Sequence, residues 1–238
     1  PVCEINITLP DKLDDALWPM IGWLAGSKSP NGIPVLIGLE DISLNNDDLK
    51  ALCAAFGTTS AAPMLHIKGH TPEGELPSIK NVISTSIVPN DLLNLWKNFN
   101  TGNNKIDLVA IGSPHASSSE CIKFLEFLLE KNQAVMVPTI LTVGRATLEV
   151  LRDEGSLRQF SELGVQVVPD ICWCSITEPV FPPDTKSLVT NSGKYAHYGE
   201  GLTGRNIRFG SLGDCATAAL SGYVNNELPN WLMSKTYL

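Results

Sequence analysis

The chain has 238 residues, 43% hydrophobic and 18% charged, with a formal net charge of −8 and a pI of about 5.0. That is an ordinary globular balance, and a field of that sign repels phosphate backbones, which argues against a nucleic-acid partner. No apolar run approaches the ~18 residues of a membrane helix, and Pro1-Val2-Cys3-Glu4 lacks the basic and apolar regions of a secretory leader.

In chain order, short runs rich in Val and Ile alternate with helical segments. Residues 33–38 (Ile33 to Gly38) read as a strand, 47–56 as a helix, and 62–67 as a second strand. After a Gly/Pro/Glu loop, 81–87 reads as a strand and 90–99 as a helix. Residues 106–112 form a buried strand, and Ser117-Ser118-Ser119-Glu120 then offers a capping box for the helix that follows. On that helix Ile122, Leu125, Leu128 and Leu129 share one face. Residues 134–140 are the next strand and 145–163 a helix with a break at Gly155, ended by Gly164 in a left-handed conformation. Strands at 165–168 and 206–209 and a helix at 214–220 complete the pattern.

Strands alternating with helices predict an α/β fold of mostly parallel sheets covered by helices on both faces. The division expected is a first lobe over 1–97, a linker over 98–105 rich in Asn and Gly, and a second lobe over 106–238.

In open parallel sheets ligands bind beyond the carboxyl ends of the strands. Ser113, His115 and Ser117 follow the strand at 106–112, and Asp170, Cys172 and Cys174 follow the one at 165–168. Asp214 and Cys215 follow the strand at 206–209. In the first lobe, His66 stands at a strand end, with His70, Thr71 and Glu73 just beyond. Turn chemistry explains Ser, Thr, Asp and Gly at such places, but does not call for His and Cys. Six cysteines are too few for a disulfide scaffold of this length, so a reducing, cytoplasmic compartment is the simpler reading. Cys53 and Cys121 lie on apolar helix segments and read as core. Cys172-Trp173-Cys174 is too tight for a C-x-x-C pair. Cys215 opens a helix, where the N-terminal dipole favours thiolate. Two thiolates at neighbouring strand ends suit an iron–sulfur cluster better than a closed zinc site.

Several segments resemble the aconitase X family. They are Ile106 to Ser117, Asp170-Ile171-Cys172-Trp173, Thr190-Asn191-Ser192-Gly193-Lys194-Tyr195-Ala196-His197-Tyr198 and Gly210-Ser211-Leu212-Gly213-Asp214-Cys215, with Pro34 to Leu39 and His66 to Glu73 in the first lobe. The resemblance runs over nearly the whole chain and implies an aconitase-like fold and a hydro-lyase. Family members remove water from hydroxy acids, cis-3-hydroxy-L-proline or phosphomevalonate. It further implies a 2Fe-2S or 4Fe-4S cluster on Cys172 and Cys215, with a third cysteine ligand outside this chain. An upstream large-subunit segment and a small swivelling domain or subunit bearing a serine base are the partners it implies. On this basis the chain is expected to be the later part of a large subunit, incomplete alone.

Within the chain, His115 and Ser113 are the catalytic candidates. Ser117, Ser192, Lys194, His66, Thr71 and Glu73 are the substrate-binding candidates, with Lys194 suited to clamp a carboxylate. The modest charge content lacks the ion-pair enrichment of hyperthermophiles and so favours hydroxyproline over phosphomevalonate. Two other function classes compete: a non-catalytic binding or regulatory module on the same scaffold, and a thiol redox protein using Cys172 and Cys174.

Overall fold

In the computed structural model, which describes residues 1–75, 82–131 and 133–233, the chain divides into two compact units. The first is Pro1–Asn98 with the segment from Leu228 onward; the second is Phe99–Glu227. The expected division kept everything after 106 in one lobe. The physical reason for the different grouping is Trp231, buried edge-to-face against Trp96 with ring centroids 5.9 Å apart.

The first unit is built on a parallel sheet of β1 (Cys3–Ile7), β2 (Pro34–Ile37), β3 (His66–Ile67) and β4 (Ile83–Ile87). Their order is β3-β2-β1-β4. Its helices are α1 (Leu17–Lys28), α2 (Asn46–Thr59) and α3 (Pro89–Phe99). Asn45 caps α2 through a complete box with Asp48.

Strand β1 and helix α1 precede the first element expected from the sequence, at residues 33–38. In α1, Pro19, Gly22 and Gly26 disguise a helix whose first turn tolerates proline. Both glycines are there for contact: a Cβ on Gly22 would stand 2.0 Å from Leu52 O, and one on Gly26 2.2 Å from Thr59 Oγ1. Helix α2 therefore lies backbone to backbone against α1. The strand read over 62–67 shrinks to His66–Ile67, because Pro63 lacks the N–H a ladder needs. Asn81, the first residue of the strand read over 81–87, lies outside the described residues.

The second unit holds β5 (Leu108–Ala116), β6 (Thr139–Val143), β7 (Val165–Pro169), β8 (Ser187–Thr190) and β9 (Asn206–Phe209), all parallel in the order β7-β6-β5-β8-β9. Its helices are α4 (Ser118–Leu129), α5 (Arg145–Asp153), α6 (Ser156–Leu163), α7 (Gly193–Thr203) and α8 (Leu212–Ser221). The capping box of Ser117 and Glu120 forms as expected, and Gly164 ends α6 at φ 86°. The strand read over 134–140 is displaced to 139–143, beginning just after Pro138. Strand β8 and helix α7 were not foreseen; Ser187–Thr190 is short, and all four residues are buried between neighbours.

Period-two alternation splits the core across this sheet. Val109, Ile111, Leu141, Val143 and Val189 face α4, α6 and α8; Leu108, Ala110, Ile140 and Leu188 face Trp173, Phe181 and Tyr195 of α7. The chain reverses direction across the sheet between β5 and β8, the place where such sheets open a crevice at their carboxyl edge.

Candidate functional site

The crevice of the second unit is shaped by the end of β5. Gly112 has φ +100°, and a Cβ there would stand 2.1 Å from Thr142 O, so only glycine lets β5 close on β6. Thr142 Oγ1 donates to Gly112 O at 2.7 Å and locks the approach. The register shifts between Ile111 and Ala116, and this irregular stretch carries Ser113 and His115 at the strand end.

Ser113 is 3% exposed, and its buried Oγ has no hydrogen-bond partner among the described residues. Its carbonyl accepts the Ser192 hydroxyl, which in turn accepts the Tyr195 N–H at 3.0 Å and so caps α7. Two of the expected residues, on adjacent strand ends, are thus joined directly. Tyr195 was overlooked by the sequence reading. Its hydroxyl is buried without a partner among the described residues, its ring packs on Trp173 at 5.4 Å, and burial holds its pKa far above the ordinary phenol value. The phenol therefore stays protonated, a donor. Its place directly after Lys194 in the capped turn was the signal available.

His115 Nε2 lies 3.0 Å from Ile171 O. A carbonyl only accepts, so Nε2 carries the proton and, in the neutral ring, Nδ1 the lone pair. Next to it, Asp170 adopts φ 59° and is gripped by Arg145, with Nε at 2.8 Å, Nη2 at 2.7 Å and the backbone N–H at 3.0 Å. These Arg145 hydrogen bonds, helped by the nearby charges of Arg145 and His115, hold the Asp170 carboxyl below the usual range. Neither Arg145 nor Asp170 was among the candidates.

Cys172 and Cys174 sit together in the half-buried loop after β7. Burial and the neighbouring Cys172 raise the Cys174 thiol, while Lys194 on the first turn of α7 acts in the opposite sense. Lys194 is thereby brought to the same loop. Trp173 Nε1 donates to Ile111 O at 2.8 Å and pins the loop to β5. Ser117 spends its hydroxyl on the α4 cap, accepting the Glu120 N–H at 3.1 Å and meeting Ser119 Oγ at 2.8 Å.

A cluster shared by Cys172 and Cys215 needs their thiolates to meet in one place. Cys172 suits that role, half-exposed at the carboxyl edge. Cys215, one turn into α8, is fully buried in the apolar layer with Cys121, Phe124, Leu125 and Leu212, on the α4–α8 face, whereas Trp173 belongs to the opposite layer. Among the described residues, no three of His, Cys, Asp and Glu are grouped to hold a metal ion.

In the first unit, His66 is buried and its Nδ1 stands 3.9 Å from Glu73 Oε2, so these two candidates are brought together. Thr71 is consumed by its own turn: its Oγ1 accepts the Ile67 N–H at 2.9 Å and donates to Ile67 O at 3.1 Å. Two carboxylates missed by the sequence reading hold backbone turns here, Glu40 at Gly38 N (2.7 Å) and Glu75 at Gly69 N (2.9 Å). No described helix is long and apolar enough to cross a membrane.

Comparison with known proteins adds to this geometry. Residues 2–96 match the Aconitase X second domain and residues 106–221 the Aconitase X third domain. The chain is 35% identical to a cis-3-hydroxy-L-proline dehydratase of Hypocrea jecorina, over 97% of this chain and 40% of that protein. A protein of the same name from Pseudomonas aeruginosa is 36% identical, over 92% and 39%. The phosphomevalonate dehydratase large subunit of Methanocaldococcus jannaschii is 28% identical, over 84% and 49%. The chain thus spans two fifths to one half of the length of these relatives. The crystal structure of Thermococcus kodakaraensis aconitase X (holo-form) superposes with a TM-score of 0.79 at 24% identity, covering 92% of this chain and 55% of that one; it shares the fold.

Proposed function

The chain belongs to the aconitase X family, and we propose that it forms part of a hydro-lyase that removes water from a small hydroxy acid, with cis-3-hydroxy-L-proline as the substrate. The observation that supports this reading is the bond from the Ser192 hydroxyl to the Ser113 carbonyl, which joins the end of β5 to the first turn of α7, where Lys194 and Tyr195 follow. Identity of 35–36% to two cis-3-hydroxy-L-proline dehydratases, against 28% to a phosphomevalonate dehydratase subunit, supports the substrate.

Eliminating water breaks a C–H and a C–O bond and forms a C=C bond, so the site must move a proton and steady a departing hydroxyl. In this reading the substrate carboxylate rests on Lys194 and the N–H groups opening α7, where the helix dipole favours an anion. Ser192 is a positioning residue, because its hydroxyl is spent on Ser113 O and Tyr195 N. Ser113 Oγ and the Tyr195 phenol offer hydrogen bonds to the hydroxyl that leaves. His115, oriented by Ile171 O, handles a proton through Nδ1. His66 and Glu73 are proposed as further substrate contacts. Cys172 is the ligand that this chain would contribute to an iron–sulfur cluster in the family manner, the remaining ligands and the serine base coming from an upstream segment and a small domain or subunit. The roles given to His115, Ser113 and Lys194 do not depend on that cluster. Six free thiols accord with a cytoplasmic location.

The test is turnover by the protein assembled with the length that its relatives carry, offered cis-3-hydroxy-L-proline and phosphomevalonate in parallel. Loss of water from the former, reduced roughly 10²–10⁴-fold by His115→Ala, is expected. Turnover of phosphomevalonate alone would reassign the substrate. Binding of either compound without turnover would favour the non-catalytic module.

A further inference from the structure

The edge of the second sheet opposite the crevice carries a feature that water removal does not use. Lys105 and Asp107 lead into β5, Lys186 precedes β8 and Ser187 starts it, and Arg205 precedes β9, so the amino ends of three adjacent strands meet there. They line an open cleft of about 600 Å³ together with Asp184 and Thr185. We infer that this cleft is a binding site for an oxyanion of the phosphate type.

Three observations carry it. The lining holds the three cations Lys105, Lys186 and Arg205 against the two carboxylates Asp107 and Asp184, a surplus of one positive charge on a chain of net charge −8. Asp107 is turned to local work, its Oδ2 accepting the backbone N–H of Lys186 at 3.0 Å and of Ser187 at 3.1 Å. Two donors in the lining are left over. Thr185 is 3% exposed, and among the described residues neither its Oγ1 nor the buried Arg205 Nε has a partner. Arg205 Nη2 is held by Pro183 O at 3.3 Å and stands 3.8 Å from Glu178, which fixes the guanidinium in place. Buried donors without acceptors are costly, and a multivalent acceptor of negative charge satisfies a hydroxyl, a guanidinium N–H and ammonium groups at once.

The site lies within one unit and is independent of the hydro-lyase reading. Inorganic phosphate titrated calorimetrically into the full 238-residue chain, at ionic strength held constant with sodium chloride, tests it. Saturable binding is expected, weakened at least tenfold in the Lys105→Ala/Lys186→Ala double variant, whose changes fall on exposed side chains. Thr185→Val, which keeps the shape and removes the hydroxyl, should weaken binding several-fold while leaving the unfolding midpoint unchanged or higher. Absence of saturable binding, or an equal Kd in the double variant with its circular dichroism intact, would overturn the inference.

Discussion

The hydroxyl of Ser192 donates to the main-chain carbonyl of Ser113, and the same oxygen accepts the Tyr195 N–H. One small side chain therefore ties the end of β5 to the first turn of α7 across the place where the sheet changes direction. Ser113, Ser192 and Tyr195 share that tie, and His115 is held by the loop that Trp173 pins to β5.

Replacing Ser192 by Ala removes both bonds. The N-cap is lost and the buried Ser113 carbonyl is left without its donor, so unfolding by urea should show a loss of about 1–2 kcal/mol. Turnover in the assembled protein should fall further than stability alone explains, with Ser192→Thr recovering part of it.

Gly112→Ala should be among the most damaging single changes. The new Cβ would meet Thr142 O at 2.1 Å with φ at +100°, and neither backbone segment can give way without parting β5 from β6. A loss of ~4 kcal/mol or more is expected, read as a collapsed unfolding midpoint or as insoluble protein.

The Arg145–Asp170 pair makes stability depend on pH in the acid range. Arg145 depresses the Asp170 pKa in the folded chain. A carboxyl depressed on folding contributes stability that is complete above its unfolded pKa, about 4, and is lost as pH falls through the lower folded value. Asp170→Asn tolerates the left-handed backbone but cannot form the ion pair. The urea midpoints of wild type and variant should therefore differ at pH 6 and converge toward pH 2–3. A gap that persists there would mean that the pair is not the source.

Thiol labelling followed by mass spectrometry reads the cysteine environments directly. Cys53, Cys172 and Cys174 are exposed or half-buried and should react before Cys3, Cys121 and Cys215, which are buried. Burial raises the Cys53 and Cys174 thiols, so both should accelerate steeply as pH rises. Equal rates at Cys172 and Cys215 would show that the α8 packing opens.

Cys215→Ser places a hydroxyl in an apolar layer and should cost about 1–3 kcal/mol, whereas Cys215→Ala should cost less. A ligand role for Cys215 would instead appear as iron lost equally in both variants of the assembled protein.

Much of this protein was legible in its residues. Val- and Ile-rich runs spaced by capped helices sufficed for two parallel α/β units, because hydrophobic period and caps are local properties. The box at Ser117 and Glu120, the glycine stop at 164, and the place of Ser113 and His115 beyond a strand core follow from the same local rules. Other features depended on contacts distant in sequence. Helix α1 hides behind Pro19, Gly22 and Gly26, whose purpose is the close approach of α2. The value of Tyr195 rests on a buried hydroxyl that no acceptor among the described residues reaches. Whether Cys172 and Cys215 face one another depended on which side of a sheet each side chain is turned toward. A one-residue step in a strand or a 100° step in a helix reverses such a direction, and only the packed core chooses between them.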